Sequence, residues 1–166
     1  MKKEEVKELI YQRYFEPTKQ KRDVFAGIEL EIPIINLNKK AVDFKLIHEL
    51  TLKFKEHFNF KVKATDENGV ICALEDPVTN DVFSFDCSYN NLEISFGKEK
   101  NLYHVKDRFK KYYKFIQQIL NRKNHTLSGF GINPYRKYNK RSPIPNGKYR
   151  MLYHYLSSYK RYKNNV

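Results

Sequence analysis

Between residues 60 and 96, four short runs rich in β-branched and aromatic residues follow one another with almost nothing between them: FKVKA (60–64), GVICALED (69–76), DVFSFDC (81–87) and NNLEISF (90–96). A parallel crossover needs roughly a dozen or more residues, so connections this short force antiparallel neighbours. PVTND between the second and third runs supplies a hairpin turn. The centre of the chain therefore reads as an antiparallel meander. An earlier run, VFAGIELEIPII (24–35), has the same strand composition and ends beside Pro33.

Helical spacing brackets these strands. Val6, Leu9, Ile10 and Tyr14 predict an amphipathic helix over 3–14, with Glu4, Glu5 and Glu8 near its N-terminal end, where they favour the helix dipole. From Asp43 as N-cap, Leu46, Ile47, Leu50, Phe54 and Phe58 predict a helix over 43–58 that covers a sheet. Asn101 caps a third, whose stripe is Leu102, Val105, Phe109, Tyr112, Ile116, Ile119 and Leu120. HTLSGFGINP (125–134) reads as a further strand and 135–147 as a basic loop. Tyr149, Leu152, Tyr153, Leu156 and Tyr159 then predict a last helix over 147–161. The fold class expected is α+β: an antiparallel sheet with helices packed on one face, in a single domain over 1–166.

Composition narrows the classes of function. With 40% hydrophobic residues and only 6 Gly and 6 Pro, the chain can bury enough apolar surface to offset its ordering entropy. No apolar stretch approaches the roughly 20 residues that span a bilayer, and MKKEEVKELIYQRYF has no signal-peptide core, so a cytoplasmic protein without a membrane partner is expected. Cys72 and Cys87 have neither CxxC nor Cys/His spacing and read as buried thiols. His48, His57, His104, His125 and His154 show no paired spacing, and none is assigned to a metal.

The net charge of +13 is unevenly spread: residues 100–166 hold 17 basic side chains against one acidic, Asp107. Such a segment suits phosphates, nucleic acid or an acidic partner surface. A strand places residues i and i+2 on one face, so Glu29 and Glu31 project together while Ile28, Leu30 and Ile32 pack on the other side. Alone, this pattern is explained most simply by solvated glutamates. Glu93, between Leu92 and Ile94, and Asp86, after Phe83 and Phe85, alternate in the same way on neighbouring strands. Together Glu29, Glu31, Asp86 and Glu93 form an acidic trough of the oxygen ligands that hard divalent cations prefer.

GIELEIP (27–33), SFDCSYNNLEISFG (84–97) and GFGINPYRKYNKRSPIPNGKYRMLYHYLSSY (129–159) resemble, in order, the first half of the glutamate–cysteine ligase family in its plant-like and bacterial branch. Glu29 and Glu31 match that family's G-x-E-x-E strand, Glu93 matches the Glu of its LELS strand, and Asp86 stands where a Glu is usual. KYRMLYHYL (148–156) matches its R/K-Y-x-x-M-x-x-Y pattern with the Met displaced by one position. The resemblance covers residues 24–160.

The resemblance implies a curved, glutamine-synthetase-like half-barrel, with Glu29, Glu31, Glu93 and Asp86 as metal ligands for Mg²⁺ and ATP. Arg136, Lys148 and Arg150 become candidates for phosphate or a substrate carboxylate. The implied reaction is ATP-dependent condensation of glutamate with an amine such as cysteine through an acyl phosphate, the chemistry of glutathione biosynthesis. Family members continue beyond the Tyr-rich helix with further ligands. The chain is thus expected to be the N-terminal part of such a catalytic domain, inactive alone, and to self-associate or rely on a complementing C-terminal segment. Two alternatives stand beside this: a noncatalytic remnant, and a basic nucleic-acid-binding module, which the acidic strand face disfavours.

Overall fold

The computed structural model describes residues 2–20, 23–135 and 143–158. In chain order the elements are α1 (Lys3–Ile10), β1 (Ala26–Asn36), α2 (Phe44–Phe58), β2 (Lys61–Thr65), β3 (Ile71–Glu75), β4 (Val82–Phe85), β5 (Asn91–Glu99), α3 (Leu102–Asn121), β6 (His125–Leu127) and α4 (Gly147–Ser157). The strands form one open antiparallel sheet in the order β2-β3-β4-β5-β1-β6. The meander is β2 to β5, as the short connections require, and β1 lies beside its last strand. Among the described residues no helix is long and apolar enough to cross a membrane.

Alternation along the strands decides where the core sits. Leu74, Phe83, Phe85, Leu92, Ile94 and Phe96 are buried, and they cluster with Leu46, Ile47, Leu50 and Phe54 of α2 and Val105, Tyr112, Ile116 and Leu120 of α3. Both helices therefore cover one sheet face. Phe54 is fully buried at the centre, its ring 4.3 Å from that of Phe83 and 5.3 Å from that of Tyr112. The Asp43 and Asn101 caps form as predicted: each side chain accepts from the backbone N–H two residues on, at 2.9 Å.

One polar knot lies inside this layer. The Asp81 carboxylate is fully buried and accepts from Arg108 Nε at 2.8 Å, Tyr112 Oη at 2.9 Å and the Gly97 N–H at 2.9 Å. Burial and the Asp81 charge push the Tyr112 phenol far above its usual pKa. Gly97 has no room for a side chain, because a Cβ there would stand 1.8 Å from the Thr79 carbonyl oxygen. Gly97→Ala is expected to cost about 1–3 kcal/mol through forced backbone movement. Chemical denaturation checks it, and a midpoint unchanged from wild type would count against this account.

Several elements differ from the sequence expectation. The first helix stops at Ile10 and continues as a π-helical turn over Tyr11–Phe15, and its apolar stripe stays in solvent, with Leu9 54% and Tyr14 62% exposed. Leu102 likewise falls outside the buried stripe of α3. Strand β6 ends at Leu127, well short of residue 134: the Ser128 N–H makes the last contact to β1, at the Pro33 carbonyl, and Gly129 and Gly131 then weaken any extended run. The last helix buries no residue fully, and its expected end at 161, with Tyr159, lies outside the described residues. Neither cysteine is fully buried. Cys72 packs half-buried against the core, whereas Cys87 sits in a left-handed turn (φ 60°) beyond the end of β4 and not in an apolar strand.

Candidate metal centre

The face opposite α2 and α3 carries the polar residues of the same strands. Glu31 stands directly across from Glu93 in the β1–β5 ladder, and Glu93 stands across from Ser84 on β4. Like charges so placed repel, and an antiparallel pair loses stability by it. Asp86, two residues beyond Ser84, joins them. One carboxylate oxygen from each of Glu31, Asp86 and Glu93 lies within 4.8 Å of the others. Glu31 is exposed, whereas Asp86 and Glu93 are half-buried.

Of the expected quartet, Glu29 stands apart from the other three. It shares the face but pairs with Ser95, one step along the ladder, and is not part of the cluster. A two-residue period identifies the face, but only the register says which carboxylates meet.

Neighbouring side chains orient the three. Ser95 Oγ donates to Glu93 Oε1 at 2.9 Å, and Asn91 Nδ2 makes a longer 3.4 Å contact to Glu31 Oε2. Tyr149 Oη, from α4, donates to Asp86 Oδ1 at 2.9 Å. Sequence reasoning missed this last contact, which joins residues 63 apart. Asn91 and Ser95 did carry a signal, since both alternate in phase with Glu93.

The Tyr149 phenol is pushed up to about 12, chiefly by burial and then by its bond to the Asp86 carboxylate. Its folded value thus lies above the unfolded one near 10. The stabilisation is fully present below pH about 10 and is lost as pH rises towards about 12. Subtracting the alkaline ultraviolet titration of Tyr149→Phe from that of wild type should leave a single transition centred near 12. A difference centred at the ordinary phenol value would contradict the Asp86 contact.

The cationic candidates are placed unequally. Arg150 is held by Glu67, with Nη2 to Oε1 at 2.8 Å and a second contact from Nη1 to Oε2, which accounts for its charge without a phosphate. Lys148 is exposed, with Nζ 5.3 Å from the centre of the Tyr149 ring, and its charge opposes the rise that burial and Asp86 impose on the Cys87 thiol. Arg136 lies outside the described residues. His125 uses both ring nitrogens on backbone, Nε2 accepting from the Asp43 N–H at 3.2 Å and Nδ1 meeting the Lys123 carbonyl at 2.6 Å. A cavity of about 330 Å³ is lined by Ile32, Leu127 and Phe130 together with Phe109 and Tyr113 of α3, and of the three carboxylates it touches Glu31 alone.

Three carboxylates to which no cationic side chain among the described residues is bonded make an oxygen donor set suited to a hard divalent ion such as Mg²⁺ or Mn²⁺. Comparison with protein-family models, with curated proteins and with solved structures finds no match to this chain.

Proposed function

We propose that the chain carries the cation-binding sheet of an ATP- and Mg²⁺-dependent carboxylate–amine ligase of glutamate–cysteine ligase type, on a glutamine-synthetase-like fold. The observation that supports this reading is the convergence of Glu31, Asp86 and Glu93 on the sheet face left open by the helices. These three would hold the metal. When bound, it would draw the phosphate oxygens of ATP to this face and offset their negative charge. In the proposed reaction the γ-carboxylate of glutamate takes the terminal phosphoryl group and ADP leaves. The amine nitrogen of cysteine then attacks the acyl carbon, phosphate leaves, and the nitrogen loses its proton.

The test supplies ATP, Mg²⁺, glutamate and cysteine, and follows ADP release together with dipeptide by mass spectrometry. Dipeptide formed in step with ADP, by the chain alone or once a complementing C-terminal segment is supplied, and lost in Glu31→Gln, supports the proposal. ADP release indifferent to both amino acids, or product that survives the substitution, overturns it.

A further inference from the structure

Glu31 and Glu93 are held in place by the β1–β5 ladder, but Asp86 is not. It lies beyond the end of β4, on a turn whose next residue, Cys87, has a left-handed backbone. Three hydrogen bonds fix that turn relative to the sheet and to α4. The Asp86 N–H donates to the Asn91 carbonyl at 3.1 Å, the Cys87 carbonyl accepts from the Ile144 N–H at 2.9 Å, and Asp86 Oδ1 accepts from Tyr149 Oη at 2.9 Å. Two of the three come from residues 144–149.

That segment in turn is anchored to the core mainly at its start. Ile144 is buried at 1% exposure and Tyr149 packs half-buried against the core, but no residue of α4 itself is fully buried. Its further ties include the Glu67 N–H to the Pro145 carbonyl at 3.0 Å, a backbone hydrogen bond from Gly147 to the Glu67 carboxylate and the exposed Arg150–Glu67 pair. An exposed pair of this kind contributes little. The third carboxylate and the last helix therefore hold each other.

We propose that docking of the segment from Ile144 through α4 and occupation of the carboxylate cluster by a divalent cation are coupled through Asp86, with Tyr149 as the positioning residue. The inference rests on the cation-site reading above. An aspartate is one methylene shorter than a glutamate, so it reaches a shared ion only if its turn and rotamer are held. The Tyr149 hydroxyl supplies that hold on Oδ1, and an ionised carboxylate keeps acceptor sites free on its other oxygen. A bound cation removes the mutual repulsion that would otherwise push Asp86 away from Glu31 and Glu93. It thereby steadies the acceptor that Tyr149 needs. Coupling of this kind is reciprocal, so whatever Tyr149 adds to cation affinity, the cation adds to the docking of α4.

The test uses the full chain with Mn²⁺ as the probe, calorimetry for affinity, and hydrogen exchange at the amides of Gly147–Ser157 with and without the ion. Wild type is expected to bind Mn²⁺ and to slow exchange of these amides about fivefold or more on binding. Tyr149→Phe keeps the ring and its packing. It should bind Mn²⁺ about tenfold more weakly and lose the ion-dependent protection, a response that a purely structural role for the tyrosine would not alter. Ile144→Ala loosens the segment from its core side without touching a carboxylate, and it too should weaken Mn²⁺ binding. If both variants bind as wild type does and the amides exchange alike with and without the ion, the coupling is overturned while the cation site stands. If wild type binds no Mn²⁺, both readings fall together.

Discussion

Asp81→Ala is expected to lower the free energy of unfolding by about 3–5 kcal/mol, the usual cost of removing one partner from a buried ion pair. The carboxylate is fully buried, and both its oxygens are used: Oδ2 by Arg108 Nε and Tyr112 Oη, Oδ1 by the Gly97 N–H and, at 3.3 Å, Arg108 Nη2. Alanine would strand a guanidinium, a phenol and a backbone donor together in the helix-covered layer. Arg108 would keep its 3.1 Å bond to Glu99 and its place over the Phe96 ring, which do not replace the lost carboxylate. Because the cluster is shielded, the deficit should change little between low and high salt, unlike that of an exposed pair. Urea denaturation of wild type and variant at two ionic strengths measures both effects. A loss below about 1 kcal/mol, within the range of exposed ion pairs, would show that water reaches and replaces the carboxylate.

The same residue marks how far the sequence could be read. Period-two alternation and short connections were enough to place Leu92 and Ile94 on one face and Glu93 on the other, and to set β2 to β5 in order. Cap residues and helical spacing gave both ends of α2 within a residue and the start of α3. The Asp81 carboxylate carried no such local signal, because its partners stand 16, 27 and 31 residues away. Asp86 was legible as an alternating residue, yet what holds it is a left-handed turn at Cys87 and a tyrosine from another helix. Glu29 shows the complementary limit. Its pattern is identical to that of Glu31, and the register that sets it against Ser95 is a property of two strands together. In α1 the amphipathic pattern was genuine, but amphipathicity names a face and not a partner, and that face remains in solvent.

Paired replacement of Glu31 and Glu93 by glutamine should separate stability from binding, with opposite signs. In the absence of divalent ions the variant is expected to be as stable as wild type or more so, by a few tenths to about 1 kcal/mol, because the two carboxylates face each other directly across the β1–β5 ladder and repel. Glutamine matches their volume without the charge. With Mg²⁺ or Mn²⁺ present the order reverses. Wild type gains the linkage stabilisation of a bound ion, about 2.7 kcal/mol at a hundredfold excess over the dissociation constant, and the variant gains none. Two of three charged ligands would be gone, so affinity should fall by about a hundredfold or more. Glu29→Gln serves as the control: it removes a charge from the same face but not from the cluster, and it should shift affinity only through weak, screened attraction. Thermal unfolding with and without the ion, beside calorimetric titration, reads all three outcomes at once. A glutamine pair that is less stable without ions would mean that the carboxylates are structural, and equal affinity in the Glu29 and Glu31/Glu93 variants would mean that the ion is held by diffuse charge and not by a site. The expected combination, a more stable apo protein that no longer binds the ion, is the sign of a cluster whose repulsion is tolerated because a cation is meant to relieve it.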